Sequence, residues 1–262
     1  MLLNIIKKQG IIMKKIVTVI CLSLLSSWGI ADNHAPAFGG IETYSCNFNE
    51  GNDLGDVLAV AKKWNKFASK NFSMPYQGYV LTPYYRDSDT QHDFYWVGVS
   101  PSFEAQGKVA DDWLAKGSKM QAEFDSVSTC DALAQWGNMP VSLPEDGVPS
   151  EGFVSFQACK MKEGASLEKM LEADMKMSAF AKKAGFSSGV MSRWFPISGQ
   201  AADFSADFIV TRGIGSLGER GKLVDTMIKS GGMQMQNSLY GDLQECRGGP
   251  TSMFVSVGGK EE

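Results

Sequence analysis

The residues of this chain whose types and spacing suit ligand chemistry are aromatic, with arginines beside them. Trp64, Tyr79, Tyr84, Tyr85, Tyr95 and Trp96 gather in the first half with Arg86 nearby, and Arg193, Trp194 and Phe195 stand in the second. Aromatic faces bury a small apolar molecule, and a few polar groups among them fix its orientation. The expected lining of a pocket is therefore Trp64, Tyr84, Arg86, His92, Tyr95, Trp96, Arg193 and Trp194, and the expected occupant is a small apolar or aromatic ligand. On a strand, Tyr95 and Trp96 point to opposite sides, so one enters the interior and the other faces out. Core packing is the competing role for the same side chains. His92 lies between Asp89 and Asp93, which would tune it as a base; a histidine in a surface loop is the plainer reading. The only other histidine, His34, sits near the start of the chain.

Other chemistries are poorly supplied. Gly-x-Ser-x-Gly is absent, and no Ser-His-Asp or Cys-His arrangement is legible. Two histidines are too few for ordinary zinc chemistry, and no metal site is expected. Gly213-x-Gly215-x-x-Gly218 has the form of a dinucleotide fingerprint, but the strand-terminal acid about 20 residues on is missing. The stretch is read as a strand-to-helix turn, and no cofactor is expected. The second half is rich in methionine: Met170, Met175, Met177, Met191, Met227, Met233 and Met235. Thioethers can hold Cu(I). Met175 and Met177, two apart on a predicted helix, point different ways, and Met233 and Met235 share a face only if extended. Core filling is their default role.

The 262 residues carry 25 Lys+Arg against 29 Asp+Glu, and 44% are hydrophobic. That is enough apolar mass for a core, and it excludes global disorder. The start of the chain is an address. Residues 13–31, MKKIVTVICLSLLSSWGIA, have a Lys14-Lys15 n-region, an apolar run of about 15 residues and a small-x-Ala end. Residues 1–31 are read as a cleaved signal with its true start at Met13. Ile20 before Cys21 argues against a lipid-anchored cysteine. Cleavage removes Lys7, Lys8, Lys14 and Lys15 and no acid, leaving 21 cationic against 29 anionic side chains. An acidic surface disfavours nucleic acid and anionic lipid. No membrane span is expected after cleavage, and the destination is periplasmic or secreted. Nothing in the sequence specifies a protein partner.

The remaining chain reads as one unit written twice. Cys46–Ala68 aligns without gaps on Cys159–Ala181, with eight of the 23 positions identical. Asp93-Phe94 recurs as Asp207-Phe208, and Gly107-Lys108 and Asp111 as Gly221-Lys222 and Asp225. Cys130 recurs as Cys246. The first repeat is taken as 32–141, the linker as 142–152 (SLPEDGVPSEG) and the second repeat as 153–262. Hydrophobic periodicity predicts strand, helix, strand, strand, helix, strand in each. In the first these are 41–48, a helix through Leu54 and Phe67, 76–85, 92–99, 103–122, and a strand near Cys130. In the second they are 152–161, 167–183, 189–196, 204–212, 218–228, and a strand near Cys246.

βαββαβ is the split ferredoxin-like motif. Two such units in one α+β chain, with the strand edges Asp93-Phe-Tyr-Trp and Asp207-Phe-Ile-Val, resemble the dimeric α+β barrel superfamily. That group includes antibiotic-biosynthesis-monooxygenase-like and NIPSNAP-like domains. The resemblance implies one pseudo-twofold α+β barrel with helices outside and small ligands held between sheet and helices. Four cysteines remain after cleavage, with three possible pairings. The repeat, with first and last strands adjacent in the ferredoxin-like order, selects Cys46–Cys130 and Cys159–Cys246, and export makes oxidation natural. Without a catalytic set, the expected function is a ligand-binding or stress-associated module. The alternative implied by the resemblance is a cofactor-independent monooxygenase-like enzyme acting on a small aromatic or lipid-like substrate. Periplasmic copper binding through methionines is a third reading.

Overall fold

The computed structural model describes residues 38–260 apart from 87, 89, 145, 146, 187 and 188. The signal segment, Cys21, His34 and Asp89 lie outside the described residues. In chain order the elements are β1 (Gly39–Phe48), α1 (Leu54–Asn71), β2 (Tyr76–Tyr85), β3 (Phe94–Ser100), α2 (Phe103–Lys116), α3 (Ser118–Asp125) and β4 (Ser128–Ser142). They continue with β5 (Glu151–Met161), α4 (Leu167–Ala184), β6 (Val190–Ser198), β7 (Phe208–Ile214), α5 (Leu217–Lys229), α6 (Gly232–Tyr240) and β8 (Gln244–Lys260). The eight strands close into one antiparallel barrel in the order β1-β3-β2-β8-β5-β7-β6-β4. The architecture is thus an α+β barrel. The two long strands, β4 and β8, make the seams: β4 pairs with β1 and then β6, and β8 with β5 and then β2.

Alternation along each strand divides the side chains between two environments. One face fills the barrel, where Ile41, Leu81, Val97, Trp136, Trp194 and Phe254 are buried together. The other face meets the helices in two separate layers. Over β1, β2 and β3 lie Val57, Val60, Ala61, Trp64 and Ala68, the buried stripe of α1. Over β5, β6 and β7 lies Met170 of α4, packed with Met191 of β6 and Phe208 and Val210 of β7. Asp53 starts α1 with a reciprocal capping box to Asp56.

Both disulfides join cross-strand partners. Cys46 on β1 faces Cys130 on β4, and Cys159 on β5 faces Cys246 on β8, each with Cα atoms 4.0 Å apart. The expected pairing is the one found. Asp93 and Asp207 explain their recurrence by one job. The Asp93 carboxylate accepts from the Phe48 N–H at 3.0 Å and the Asp207 carboxylate from the Met161 N–H at 2.7 Å, closing the last residues of β1 and β5.

Three elements differ from the sequence reading. The helix expected over 103–122 breaks at Gly117, where a Cβ would stand 2.6 Å from Trp113 Cε3, so the indole occupies the side-chain space and the helix restarts as α3. β7 begins at Phe208, not 204; Phe204 closes a turn onto Ala201 and packs against the barrel interior. α6 was not anticipated. It starts after Gly231 in the left-handed region (φ 76°), and a Gly-Gly pair reads as a breaker until its neighbours supply packing.

Candidate functional site

The site starts from one cross-strand row. Glu42 on β1 stands opposite Gly98 on β3, and Gly98 opposite Gly78 on β2. Two adjacent glycines leave a hollow on the helix-facing side of the sheet. A Cβ on Gly98 would lie 1.8 Å from the Tyr76 hydroxyl oxygen, and one on Gly78 would lie 2.8 Å from Trp96 Cζ2 and 3.0 Å from Trp64 Cη2. The missing side chains are what let the phenol of Tyr76 lie across β3 and two indoles settle on β2. Their polar tips then chain together. Trp96 Nε1 donates to Tyr76 Oη at 3.0 Å, and Tyr76 Oη donates to Glu42 Oε1 at 2.7 Å. No hydrogen bond from a described residue reaches the other carboxylate oxygen of Glu42.

Above this row a cavity of about 260 Å³ opens between sheet and helices. Its walls are Tyr44, Trp64, Phe94, Trp96, Trp113 and Phe124, and Glu42 lies among them. The indoles of Trp64 and Trp96 meet edge to face with centroids 4.6 Å apart, and Phe124 packs on Trp96 at 5.5 Å. Leu114 and Leu133, 81% and 51% exposed, stand at the rim, where apolar side chains face water. Burial pushes the Glu42 carboxyl above its ordinary value, and the Tyr76 hydrogen bond offsets only part of that. Burial likewise raises Tyr44 and Tyr76, with Glu42 adding to both. Among the described residues, the lining holds this one carboxylic acid and no Lys, Arg or His. Chemically it is an aromatic box with one desolvated acid as its polar handle.

The expected lining residues do not form one site. Trp64 and Trp96 line the cavity. Tyr95 points the other way, against the barrel cluster, so neither member of the Tyr95-Trp96 pair faces out; in a closed barrel wrapped by helices both strand faces are interior. Trp194 is also in the barrel, against Trp136 and Phe156. Tyr84 is half exposed and packs on Tyr85 and Phe153, and Arg86 is exposed just past β2. His92 bonds Asp131 on β4 at 3.0 Å, and the Asp93 carboxylate is engaged with the Phe48 N–H. Arg193 is fully buried in the other helix layer. Its guanidinium forks onto both oxygens of Asp174, which also accepts from the Tyr240 hydroxyl at 2.8 Å.

Sequence reasoning missed Glu42, Tyr44, Tyr76 and the two glycines. A usable signal was present: Glu42, Tyr44 and Cys46 alternate on one strand, and the cysteine already marked that face as buried. The fingerprint-like stretch Gly213–Gly218 does form a strand-to-helix turn beside a groove of about 510 Å³. The Glu219 carboxylate stands 3.0 Å from where a Gly215 Cβ would be, which opposes a phosphate there. Among the methionines, Met170 and Met191 are core residues, Met175 and Met233 are exposed, and Met233 and Met235 lie on helical α6, two apart and so on different faces.

No family model matches the chain, and no curated protein matches it. Solved structures similar to it include a mutant chlorite dismutase from Candidatus Nitrospira defluvii, at 11% identity and TM-score 0.48 over 85% of this chain and 92% of that one. A presumed monooxygenase from Lactobacillus acidophilus NCFM matches at 10% identity and TM-score 0.48 over 85% and 95%. An anthrone oxidase-like protein matches at 8% identity and TM-score 0.44 over 86% and 95%. At these values the likeness assigns this chain no activity. Among the described residues, no helix is long and apolar enough to cross a membrane.

Proposed function

We propose that this chain is an exported binding protein that holds a small apolar or aromatic molecule between the barrel wall and the helices of its first half. The observation that carries the reading is the 260 Å³ cavity beside Glu42, walled by aromatic rings. We read the chain as one ferredoxin-like unit duplicated, 32–141 and 153–262 about the linker 142–152, in the manner of the dimeric α+β barrel superfamily. The matching disulfides and the matching Asp93 and Asp207 bonds support that reading. Two disulfides also support an oxidising compartment, periplasmic or extracellular.

Native mass spectrometry of the exported protein, with tryptophan fluorescence titration by neutral one-ring and two-ring aromatics, tests the binding reading. Trp64, Trp96 and Trp113 report from the cavity wall. Binding that disappears in Ala110→Phe, which places a ring in the cavity from α2, supports the assignment. Binding that is absent from the wild type, or survives in the filled variant, overturns it. One observation favours the enzyme reading, a monooxygenase-like activity without cofactor: a desolvated carboxyl coupled to a phenol is placed to take a proton from a bound substrate. Substrate-dependent oxygen uptake that Glu42→Gln abolishes would select it.

A further inference from the structure

We infer that the cavity is selective for an organic cation, a primary or secondary amine on a compact apolar body; this rests on the binding reading above. Glu42 presents one oxygen already held by Tyr76 and a second that no described residue hydrogen-bonds. A carboxylate removed from water calls for a counter-charge. Among the described residues the lining supplies none. β1 contributes Tyr44, β2 Tyr76, β3 Phe94 and Trp96, β4 Leu133 and the disulfide-bonded Cys130, α1 Trp64, α2 Trp113, and α3 Gln121 and Phe124. The titratable groups facing Glu42 are thus the two phenols.

The walls favour the same charge as the acid does. Indole, phenol and phenyl faces carry negative quadrupoles that attract a cation, and more strongly in a desolvated setting. An ammonium entering the box donates to the free oxygen of Glu42 while its apolar body replaces water against Phe94 and Trp113. An organic anion brings a charge of the same sign as the Glu42 carboxylate, and the described lining offers it no Lys, Arg or His. The cavity lies below the roughly 300–1,000 Å³ usual for drug-sized ligands, which limits the amine to one or two rings.

The test uses the mature oxidised protein and three probes of one shape: 2-phenylethylamine, 2-phenylethanol and phenylacetate. Affinities are read by calorimetry and fluorescence for wild type, Glu42→Gln and Ala110→Phe, with circular dichroism confirming that each variant is folded. The expected result is that the amine binds at least about tenfold tighter than the alcohol, the size of one charge-assisted hydrogen bond. Glu42→Gln removes that preference, and phenylacetate binds the wild type weakest. Amine affinity rises with pH through the Glu42 titration and is flat in the glutamine variant. If amine and alcohol bind alike, or Glu42→Gln leaves their ratio intact, the cation inference fails and the pocket stands. If no probe binds the wild type, or binding persists in Ala110→Phe, the pocket reading itself fails.

Discussion

The buried pair Arg193–Asp174 offers a prediction whose size follows from the structure. Arg193 is fully buried and Asp174 nearly so, at 8% exposure. Both terminal guanidinium nitrogens, Nη1 and Nη2, donate to Asp174, Tyr240 adds a third donor, and the guanidinium lies over the Phe208 ring at 5.9 Å. Arg193 Nε is buried with no hydrogen bond, so the arginine has no spare anchor once Asp174 is gone. Asp174→Leu then leaves a full positive charge in an apolar layer, and the expected loss is about 3–5 kcal/mol. Against a typical total of roughly 5–15 kcal/mol, that is at least about a fifth of the fold's stability. Arg193→Met alone strands the carboxylate and costs about as much. Joining the two substitutions removes both charges, and stability returns to within about 1 kcal/mol of wild type, because the pair's attraction mainly offsets its own desolvation. Urea unfolding followed by far-ultraviolet circular dichroism on oxidised protein gives the four corners of the cycle, with the slopes checked for constancy. A single-variant loss below about 1 kcal/mol, or a double variant as weak as the singles together, refutes the argument.

Three further outcomes are expected. Removing either disulfide by paired Cys→Ala substitution costs up to about 4–5 kcal/mol, and the two costs are nearly equal because the closed loops differ by little, with sequence separations of 84 and 87; unequal midpoints in urea would refute the loop-entropy account. Gly98→Ala puts a Cβ where the Tyr76 hydroxyl lies, so it costs about 1–3 kcal/mol and uncouples Tyr76 from Glu42, seen as a lower melting temperature with altered Trp96 emission. Burial raises the Glu42 carboxyl above 4.5, so the protonated form is the one the fold prefers. The stability it contributes is whole below about pH 4.5 and is lost as pH rises through the raised value. Melting temperatures of wild type and Glu42→Gln therefore converge near pH 4 and separate above it, with the variant higher; a constant gap from pH 4 to 8 would refute this.

Much of the scaffold was legible because its signals are local. The apolar stripe from Val57 to Ala68 has helical spacing, and the turn chemistry at Gly51–Asp53 marks where α1 begins. The cysteine pairing was legible through the repeat, since adjacent first and last strands bring Cys46 to Cys130. The site was less so. Which rings share a cavity depends on the face of each strand and on which helix covers it. Tyr95 and Trp96 are neighbours in sequence and sit on opposite sides of a barrel wall. Trp64 and Trp96, 32 residues apart, touch edge to face. Arg193 looked like a ligand contact because nothing in the sequence announces Asp174 as its partner, 19 residues away on α4. Glu42 was passed over because a single acid on an alternating strand reads as solvent-facing until a helix is laid over it.

The pocket is best understood by what stands at the same place in the other four strands. There the row runs Ser155 on β5, Arg212 on β7 and Met191 on β6, in the register that Glu42, Gly98 and Gly78 occupy on β1, β3 and β2. Arg212 reaches along that row to within 3.7 Å of the Met191 sulfur, and burial holds it below the ordinary guanidinium range. Two long side chains thus stand where two glycines make room for the Tyr76 phenol and the Trp64 and Trp96 indoles. The Asp174, Arg193 and Tyr240 network knits the same layer to α4 and α6. The two rows pair in the same way, so strand pairing does not decide which layer can admit a molecule. Three positions in a row across the sheet decide it. Two supply absence of side chain, and the third supplies a carboxyl with one oxygen uncommitted. Substitutions that trade Gly98 for bulk should therefore close the first layer far more effectively than changes to its aromatic walls, where one ring can move into the space of another.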